Sequence, residues 1–160
     1  MNFADTNWLE AMFLHADEPG SRRAVVEQFH RRNPGVVGLS QIVLLETKNV
    51  FLRVTGLARP PEWDELLAGF TGQFYLDAMN WDFVRRESYR LFEKYSPRAT
   101  IGSFDAAILA SALLAGATRM LSFDENLKAL AAAEGLRVFP ELSNEGRVFL
   151  ARLKAPRRQT

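Results

Sequence analysis

The sequence predicts an α/β domain in which helices flank a central parallel sheet of about four to five strands. Short apolar runs alternate along the chain with longer stretches whose apolar residues recur at helical spacing. This alternation is typical of parallel strands joined by helical crossovers. The chain has 160 residues, of which 48% are apolar and 24% charged, as in one globular domain. We expect this domain to span residues 1–154 and residues 155–160 to form a flexible tail.

The elements of the first half are marked by apolar runs and by residues that begin or end helices. Asp5 closes a very short strand, and Pro34 and Gly35 form a turn before a buried strand. Ser40 can cap the helix that follows this strand. In order, we predict a strand at 3–4, a helix containing residues 8–13, a helix at 22–32, a strand at 36–39 and a helix at 41–54.

The second half shows the same alternation. Pro61 can occupy the first position of a short helix, and Gly116 and Gly135 can end two later helices. The helix at 106–115 is apolar on every side, so we expect it to be buried near the centre of the domain. In order, we predict a helix at 62–70, a strand at 74–76, a helix at 80–95, a loop at 97–102, the buried helix, a strand at 120–121, a helix at 127–133, a strand at 136–139 and a helix at 143–154.

The composition excludes several classes of site. The absence of cysteine excludes disulfides, thiol nucleophiles and cysteine-ligated metals. His15 and His30 are too few for a histidine-rich metal site, and because neither has an evident partner we interpret both as surface or helix residues. The net charge of +1 excludes a polycation. The N-terminus lacks an export signal and no apolar run could span a membrane, so we expect a cytoplasmic protein without a membrane partner.

Four acidic residues occupy positions that a parallel sheet brings to one edge. Asp5 directly follows the first predicted strand, and Asp124 follows the strand at 120–121. Glu46 lies in the helix after the second strand, and Asp105 opens the buried helix. Because the carboxyl ends of parallel strands and the starts of neighbouring helices share an edge, the four carboxylates can converge there.

Such a group of carboxylates has a cost that points to its chemistry. Two like charges at about 4 Å repel by roughly 4 kcal/mol at an effective dielectric of 20. The group therefore needs a counter-charge or bound protons. An all-oxygen site suits Mg²⁺ or Mn²⁺, which can activate a water and stabilise the oxygens of a phosphodiester. The residues thus indicate metal-assisted phosphodiester hydrolysis.

Each acid also has a structural interpretation. Asp5 can cap the first helix, and Asp105 can complement the positive end of the buried helix. Residues 122–125 match a capping box with Glu125 at its third position. Glu46 projects from an apolar stripe of its helix, where a charge is usually paired or functional. No single acid is specific, so the prediction of a common site depends on their joint position along the chain.

Five segments carry a resemblance to a known family. They are residues 3–7 (FADTN), 44–46 (LLE), 104–110 (FDAAILA), 120–124 (MLSFD) and 135–140 (GLRVFP). In these segments the chain resembles the PIN-domain family, and especially the ribonuclease toxins of VapBC-type toxin–antitoxin pairs. The resemblance covers residues 1–56 and 100–142, whereas residues 59–98 match only in the alternation of elements.

The resemblance implies a Mg²⁺- or Mn²⁺-dependent endoribonuclease. Asp5 and Asp105 correspond to the main metal ligands, and Glu46 and Asp124 to acids that hold a second ion or orient waters. In such a nuclease, a water activated by the metal attacks the phosphorus of RNA in line. The family also implies a homodimer and, for a toxin, inhibition by an antitoxin that fills or distorts the acidic site.

Three further positions bear on the family's pattern. Thr6 and Ser122 look like its small hydroxyl residues, which steady the metal-ligating carboxylates by hydrogen bonding. Asn126 stands where the family has a further acid, two residues after Asp124. An asparagine can coordinate through its carbonyl oxygen but brings no charge, which leaves the occupancy of a second metal site open.

Several arginines and aromatic residues have both a functional and a structural interpretation, as substrate contacts or as ordinary surface and core residues. Arginine side chains can bind phosphates or form part of a solvated surface. Aromatic side chains in the middle of the chain can stack on bases, seat an antitoxin helix, form a dimer contact or pack in the core. The arginines are Arg85, Arg86, Arg90, Arg98 and Arg119, and the aromatic residues are Trp63, Phe70, Phe74, Tyr75 and Trp81.

Two other functions compete with the nuclease. A non-catalytic PIN-like module could bind RNA or protein, but such a module gains nothing from the repulsion among four acids. A phosphatase of the haloacid dehalogenase type would need a second aspartate two residues after its nucleophile. Asn7 occupies that place after Asp5.

Overall fold

The computed structural model describes residues 1–156 and confirms the predicted α/β fold. The sheet has five strands in the order β3-β2-β1-β4-β5, and every neighbouring pair is parallel. Its first strand is therefore central, and its third and fifth strands form the edges. The strands are β1 (Asn2–Ala4), β2 (Val37–Leu39), β3 (Phe74–Leu76), β4 (Arg119–Leu121) and β5 (Arg137–Phe139).

Eight α-helices connect or follow these strands within the described residues. Ser21, Ser40, Asn80, Asp124 and Ser143 each cap a helix by accepting a backbone N–H. The helices are α1 (Thr6–Leu14), α2 (Arg22–Arg32), α3 (Gln41–Thr55), α4 (Pro61–Ala68), α5 (Trp81–Tyr95), α6 (Ser103–Leu114), α7 (Glu125–Ala133) and α8 (Asn144–Lys154), with a short 3₁₀ helix at Gly69–Thr71.

Two helix starts differ from the sequence predictions by more than one residue. Helix α6 begins at Ser103, three residues before the predicted start at 106, because its exposed first turn lacks the apolar pattern. Helix α7 is capped by Asp124, whose side chain accepts the N–H of Leu127 at 2.9 Å. The capping box predicted at 122–125 is therefore wrong, since Ser122 lies before the cap.

The core is built around the central strand and helix α6. Phe3 and Ala4 of β1 are fully buried, and α6 is buried on every side from Ala106 to Ala112, as the sequence predicts. Gly38 of β2 lies directly against the Phe3 ring, so that a Cβ at this position would come within 2.3 Å of it. A glycine is therefore required where β2 approaches β1.

Most of the aromatic residues in the middle of the chain pack in the core. Phe74 is buried and lies 6.0 Å from the ring of Phe70, while Trp63 meets Phe51 edge-on at 6.2 Å. Tyr75 and Trp81, in contrast, are exposed. Core packing therefore accounts for three of the five aromatic residues singled out in the sequence.

Several polar contacts hold the helices together. Arg90, Lys94 and Tyr95 of α5 all donate to the carboxylate of Glu134, just after α7. Lys128 is buried, yet its Nζ is paired with Glu125 at 2.9 Å and donates to the carbonyl of Pro140. Arg98 and Arg85 also have partners, in Leu153 O and Asp82. These contacts give structural roles to three of the arginines considered for phosphate binding.

One histidine has a partner that the sequence does not reveal. Trp8 Nε1 donates to His30 Nε2 at 3.1 Å, which ties α1 to α2. Partial burial lowers the pKa of His30 below its ordinary value, and this favours the neutral ring that can accept the bond. Within residues 1–156, no helix is both long and apolar enough to cross a membrane. Residues 157–160 of the predicted tail lie outside the described residues.

Candidate active site

The four acids predicted from the sequence are carried by four different segments of the fold. Asp5 directly follows β1 and caps α1, and Asp124 caps α7 shortly after the neighbouring strand β4. Glu46 lies in the second turn of α3, and Asp105 lies in the first turn of α6. Because β1 and β4 are adjacent and parallel, Asp5 and Asp124 follow strand ends at the same edge of the sheet.

Ser122 connects the first of these acids with the fourth. Its Oγ donates to Asp5 Oδ2 at 2.9 Å and accepts the backbone N–H of Asp124 at 2.9 Å. The other Asp5 oxygen accepts the backbone N–H of Thr6 at 2.7 Å. Both oxygens of the buried Asp5 carboxylate thus have a donor, which fixes its orientation.

Thr6 links the site to helix α3. Its Oγ1 donates to Glu46 Oε2 at 3.4 Å. The other carboxylate oxygen, Glu46 Oε1, is buried and has no hydrogen-bond partner among the described residues. Burial raises the pKa of Glu46, and the bond from Thr6 opposes this rise. An unpartnered buried carboxylate oxygen is a place where a cation or a polar ligand atom would lower the free energy.

The charges of the four acids act on one another. Burial raises the pKa of Asp5 to about 7, against the hydrogen bonds from Ser122 and Thr6. The nearby carboxylates of Asp105 and Glu46 raise this pKa further. Burial also raises the pKa of Asp105 to about 6, with added repulsion from Asp124 and Glu46. Asp105 is therefore coupled electrostatically to each of the other three acids, and Glu46 is also coupled to Asp5.

The donor chemistry of this group fits a hard divalent cation. The four side chains offer only carboxylate oxygens as ligands, three of the acids have raised pKa values, and Glu46 Oε1 has no partner among the described residues. Across residues 1–156, however, no three His, Asp or Glu side chains are placed so that they could hold a metal ion as they stand. To share one cation, three of these side chains would have to lie closer together than they do in this structure.

Asn7 has a role in the site that the sequence analysis missed. Its Oδ1 accepts the backbone N–H of Phe123 at 3.0 Å and lies 3.4 Å from the Ser122 Oγ, whose proton is shared with the closer Asp5 Oδ2. Asn7 thus holds the loop after β4 against the start of α1. Its position two residues after Asp5 was the only signal in the sequence. Asn126 is exposed and lines, together with Asp105, a cavity of about 30 Å³.

Comparison with protein families identifies the fold. The family model of the PIN domain matches residues 3–133. The chain belongs to the PIN-domain family. The match includes Asp5, Glu46, Asp105 and Asp124, and it covers the sheet except β5 and the first residue of β1. None of the curated proteins compared with this PIN domain matches it.

Solved structures with the same fold include several toxins. VapC20 from Mycobacterium tuberculosis, a toxin that cleaves the sarcin–ricin loop, is 19% identical with a TM-score of 0.65, over 85% of this chain and 96% of that one. A toxin–antitoxin complex from Klebsiella pneumoniae is 18% identical with a TM-score of 0.59, over 81% of this chain and 91% of its own. FitAcB from Neisseria gonorrhoeae is 18% identical with a TM-score of 0.56, over 87% of this chain and 96% of that one. At these identities the likeness shows the PIN fold alone.

Proposed function

We propose that this PIN-domain protein is a Mg²⁺- or Mn²⁺-dependent endoribonuclease that hydrolyses RNA phosphodiester bonds, and that it is the toxin of a toxin–antitoxin pair. One observation carries the proposal: Asp105 is coupled electrostatically to Asp5, Glu46 and Asp124 from other segments, with the pKa of Asp5 raised to about 7 and that of Asp105 to about 6. Burial of interacting acids costs free energy. A divalent cation would offset that cost.

The acids have distinct roles in this proposal. Asp5 and Asp105 are the main ligands of the cation, and Glu46 and Asp124 orient waters or hold a second cation. When bound, a divalent cation stabilises negative charge on the phosphate oxygens and makes water more acidic. Because ligands must be deprotonated, binding of a cation near pH 7 would release a proton from Asp5, whose pKa is about 7, whereas Asp105, with a pKa of about 6, is already largely ionised there.

The chain's own polar residues prepare the site for this chemistry. Ser122 and the Thr6 N–H hold both oxygens of Asp5, and Asn7 holds the loop that carries Ser122. Glu46 Oε2 is held by Thr6, which leaves Oε1 to accept a hydrogen bond from the attacking water. Such hydrogen bonds reduce the reorganisation that the carboxylates undergo during the reaction.

The partners follow from the toxin part of the proposal. We expect an RNA substrate, a cognate antitoxin and a homodimer of this chain in the cytoplasm. Support comes from structures of the same fold, one of which is a toxin–antitoxin complex and another a toxin that cleaves the sarcin–ricin loop. A short neighbouring reading frame encoding a basic DNA-binding segment would be the matching antitoxin gene.

The decisive test is RNA cleavage by the purified protein. A mixed RNA pool is incubated with the wild type in Mg²⁺ or Mn²⁺, with the wild type in EDTA, and with Asp5→Asn. Asp17→Asn is a matched control, because Asp17 is exposed in the loop between α1 and α2. We expect cleavage by the wild type and by Asp17→Asn, and none in EDTA or with Asp5→Asn. Cleavage that survives Asp5→Asn would refute the role of Asp5.

One observation favours a second candidate, a non-catalytic PIN-like module that binds RNA or protein. Within residues 1–156 no metal-binding arrangement of three acidic or histidine side chains is already formed. A binding module predicts that RNA or a partner protein is retained while no RNA is cleaved in any metal. The same cleavage assay, with a parallel binding measurement, therefore separates the two candidates.

A further inference from the structure

A groove lies between the last turns of α2 and the edge strand β5. Its volume is about 570 Å³, and three arginines, Arg32, Arg119 and Arg137, contribute to its lining. Arg119 and Arg137 begin neighbouring strands and are paired in register. The groove therefore begins at the edge of the sheet opposite to the strand ends followed by the acids.

Within the described chain, the lining of this groove holds three arginines and one acid. Among residues 1–156, none of the three arginines forms an ion pair, although Glu141 lies in the same lining. Arg119 donates to Asn33 Oδ1 at 3.5 Å. Burial and the adjacent charge of Arg137 lower the pKa of Arg119. Since the net charge of the whole chain is only +1, this is a local concentration of cations.

A row of aromatic rings runs from the groove to Phe123, and because Phe29 and Trp8 are buried, only the arginines at its ends are open to a ligand. The Arg119 guanidinium lies 5.5 Å over the ring of Phe29, and Phe29 meets Trp8 at 5.5 Å. Trp8 in turn stacks on Phe123 at 5.5 Å, and the Arg22 guanidinium lies 4.8 Å over Phe123, the residue before Asp124. Cations thus flank both ends of the row.

Helix α2 carries an exposed arginine at each end. Arg22 is its first residue and Arg32 its last, which places them about 15 Å apart along an α-helix. A single small anion cannot contact both Arg22 and Arg32 over this distance. A polymer with repeated phosphates can do so.

We propose that Arg32, Arg119 and Arg137 bind phosphate groups of an RNA strand that extends from the acidic site past Arg22 along helix α2. This rests on the proposed ribonuclease function, and it adds a second contact region for that substrate. Guanidinium groups bind phosphates in a bidentate manner. Contacts to phosphates position a strand without reading its bases, so the groove would increase affinity and orient RNA rather than select a sequence.

The test measures RNA binding without cleavage. Fluorescence anisotropy measures the binding of a labelled single-stranded RNA of about 20 nucleotides in EDTA at several salt concentrations. The logarithm of the binding constant falls linearly with the logarithm of the salt concentration, and each phosphate contact contributes about 0.7 to this salt slope for single strands. The triple variant carries Arg32→Gln, Arg119→Gln and Arg137→Gln. We expect it to bind the RNA at least about tenfold more weakly than the wild type and to reduce the salt slope of RNA binding by about 2. The double variant Arg32→Gln, Arg137→Gln keeps the contacts of Arg119 with Phe29 and Asn33 and should show most of this loss.

A charge-matched control isolates the groove. Arg53→Gln, Arg59→Gln, Arg152→Gln removes three exposed arginines outside the groove and should bind RNA almost as the wild type does. An equal loss in this control, or no loss in the groove variants, would overturn the proposal. In the latter case, binding of an acidic protein by the groove would be tested next. A third outcome is that the protein cleaves no RNA but binds it through the groove. This outcome would contradict the proposed ribonuclease function and support the proposed RNA-binding groove.

Discussion

The hydroxyl of Ser122 donates to Asp5 Oδ2 at 2.9 Å, although the two residues are 117 positions apart in the sequence. The contact exists because β1 and β4 are neighbours and Ala4 is paired with Leu121. The same hydroxyl accepts the backbone N–H of Asp124. A single serine therefore sets the orientation of one acid and the position of another.

We predict that Ser122→Ala weakens metal binding by about 10- to 100-fold, the usual effect of removing a residue that orients a metal ligand. The hydrogen bond from Ser122 lowers the pKa of Asp5, so its loss makes the carboxylate harder to deprotonate. Isothermal titration with Mn²⁺ measures the affinity. Ser111→Ala is the matched control, because Ser111 is also buried but bonds only to Ala107 O within α6. Equal affinities of wild type and Ser122→Ala would contradict the prediction.

The raised pKa of Asp5 predicts a pH dependence of stability in the metal-free protein. Its folded pKa of about 7 exceeds the value of 3.8 of the free side chain, so between these pH values the folded state binds more protons than the unfolded state. The free energy of unfolding therefore falls as pH rises through this window, by up to roughly 1.4 kcal/mol per pH unit. Well below pH 3.8, Asp5 is protonated in both states, so its contribution to the free energy of unfolding no longer changes with pH.

Asp5→Asn isolates this effect, because His30 titrates with the opposite sign. The lowered pKa of His30 adds stability that is lost as pH falls below 6.5. Urea unfolding of both proteins in EDTA should show the wild type losing stability relative to Asp5→Asn as pH rises towards 7. Added Mn²⁺ should stabilise the wild type at neutral pH and have little effect on the variant. A constant difference between the two proteins across the window would be inconsistent with a buried, protonated Asp5.

Glu134→Gln should destabilise the fold. The carboxylate of Glu134 is almost inaccessible and accepts bonds from Arg90, Lys94 and Tyr95. Its loss leaves Arg90 with Glu87 as its remaining ion pair and removes the charged partner that Lys94 and Tyr95 have among the described residues. We expect a loss of about 1–3 kcal/mol in the free energy of unfolding, measured by urea denaturation. Glu145→Gln is the control, because Glu145 is exposed in the first turn of α8. A loss below about 0.5 kcal/mol, the usual size of a surface substitution, would show that α5 is held to α7 by other contacts.

Gly38→Ala should be strongly destabilising. The added methyl group would meet the ring of Phe3 within 2.3 Å, in the centre of the sheet where neither strand can move freely. Overpacking of this kind costs about 1–3 kcal/mol. Gly72→Ala is the control, because nothing lies within 4 Å of its Cβ position and its extended backbone accepts any residue. Thermal unfolding should separate the two variants, and similar melting temperatures would argue against the close packing of β1 on β2.

The local elements could be predicted from the sequence because their signals lie within one or two helical turns. The bounds of α2 agree with its prediction, and Ser40 caps α3 as its position before the helix indicates. Residues that depend on contacts from elsewhere were not predictable. The Trp8–His30 hydrogen bond and the buried Lys128 both require partners from other elements or loops.

The candidate site also has features that the sequence predicts and features that depend on the tertiary structure. The sequence by itself determined the alternation of strands and helices, the composition that excludes cysteine and histidine sites, and the four acids at positions that can share an edge. Only the tertiary structure decided the strand order β3-β2-β1-β4-β5, the bond from Ser122 to Asp5 and the arginine groove beside β5. The physical reason is that periodicity and capping are read from neighbouring residues, whereas strand order and burial depend on the free energy of packing the whole chain.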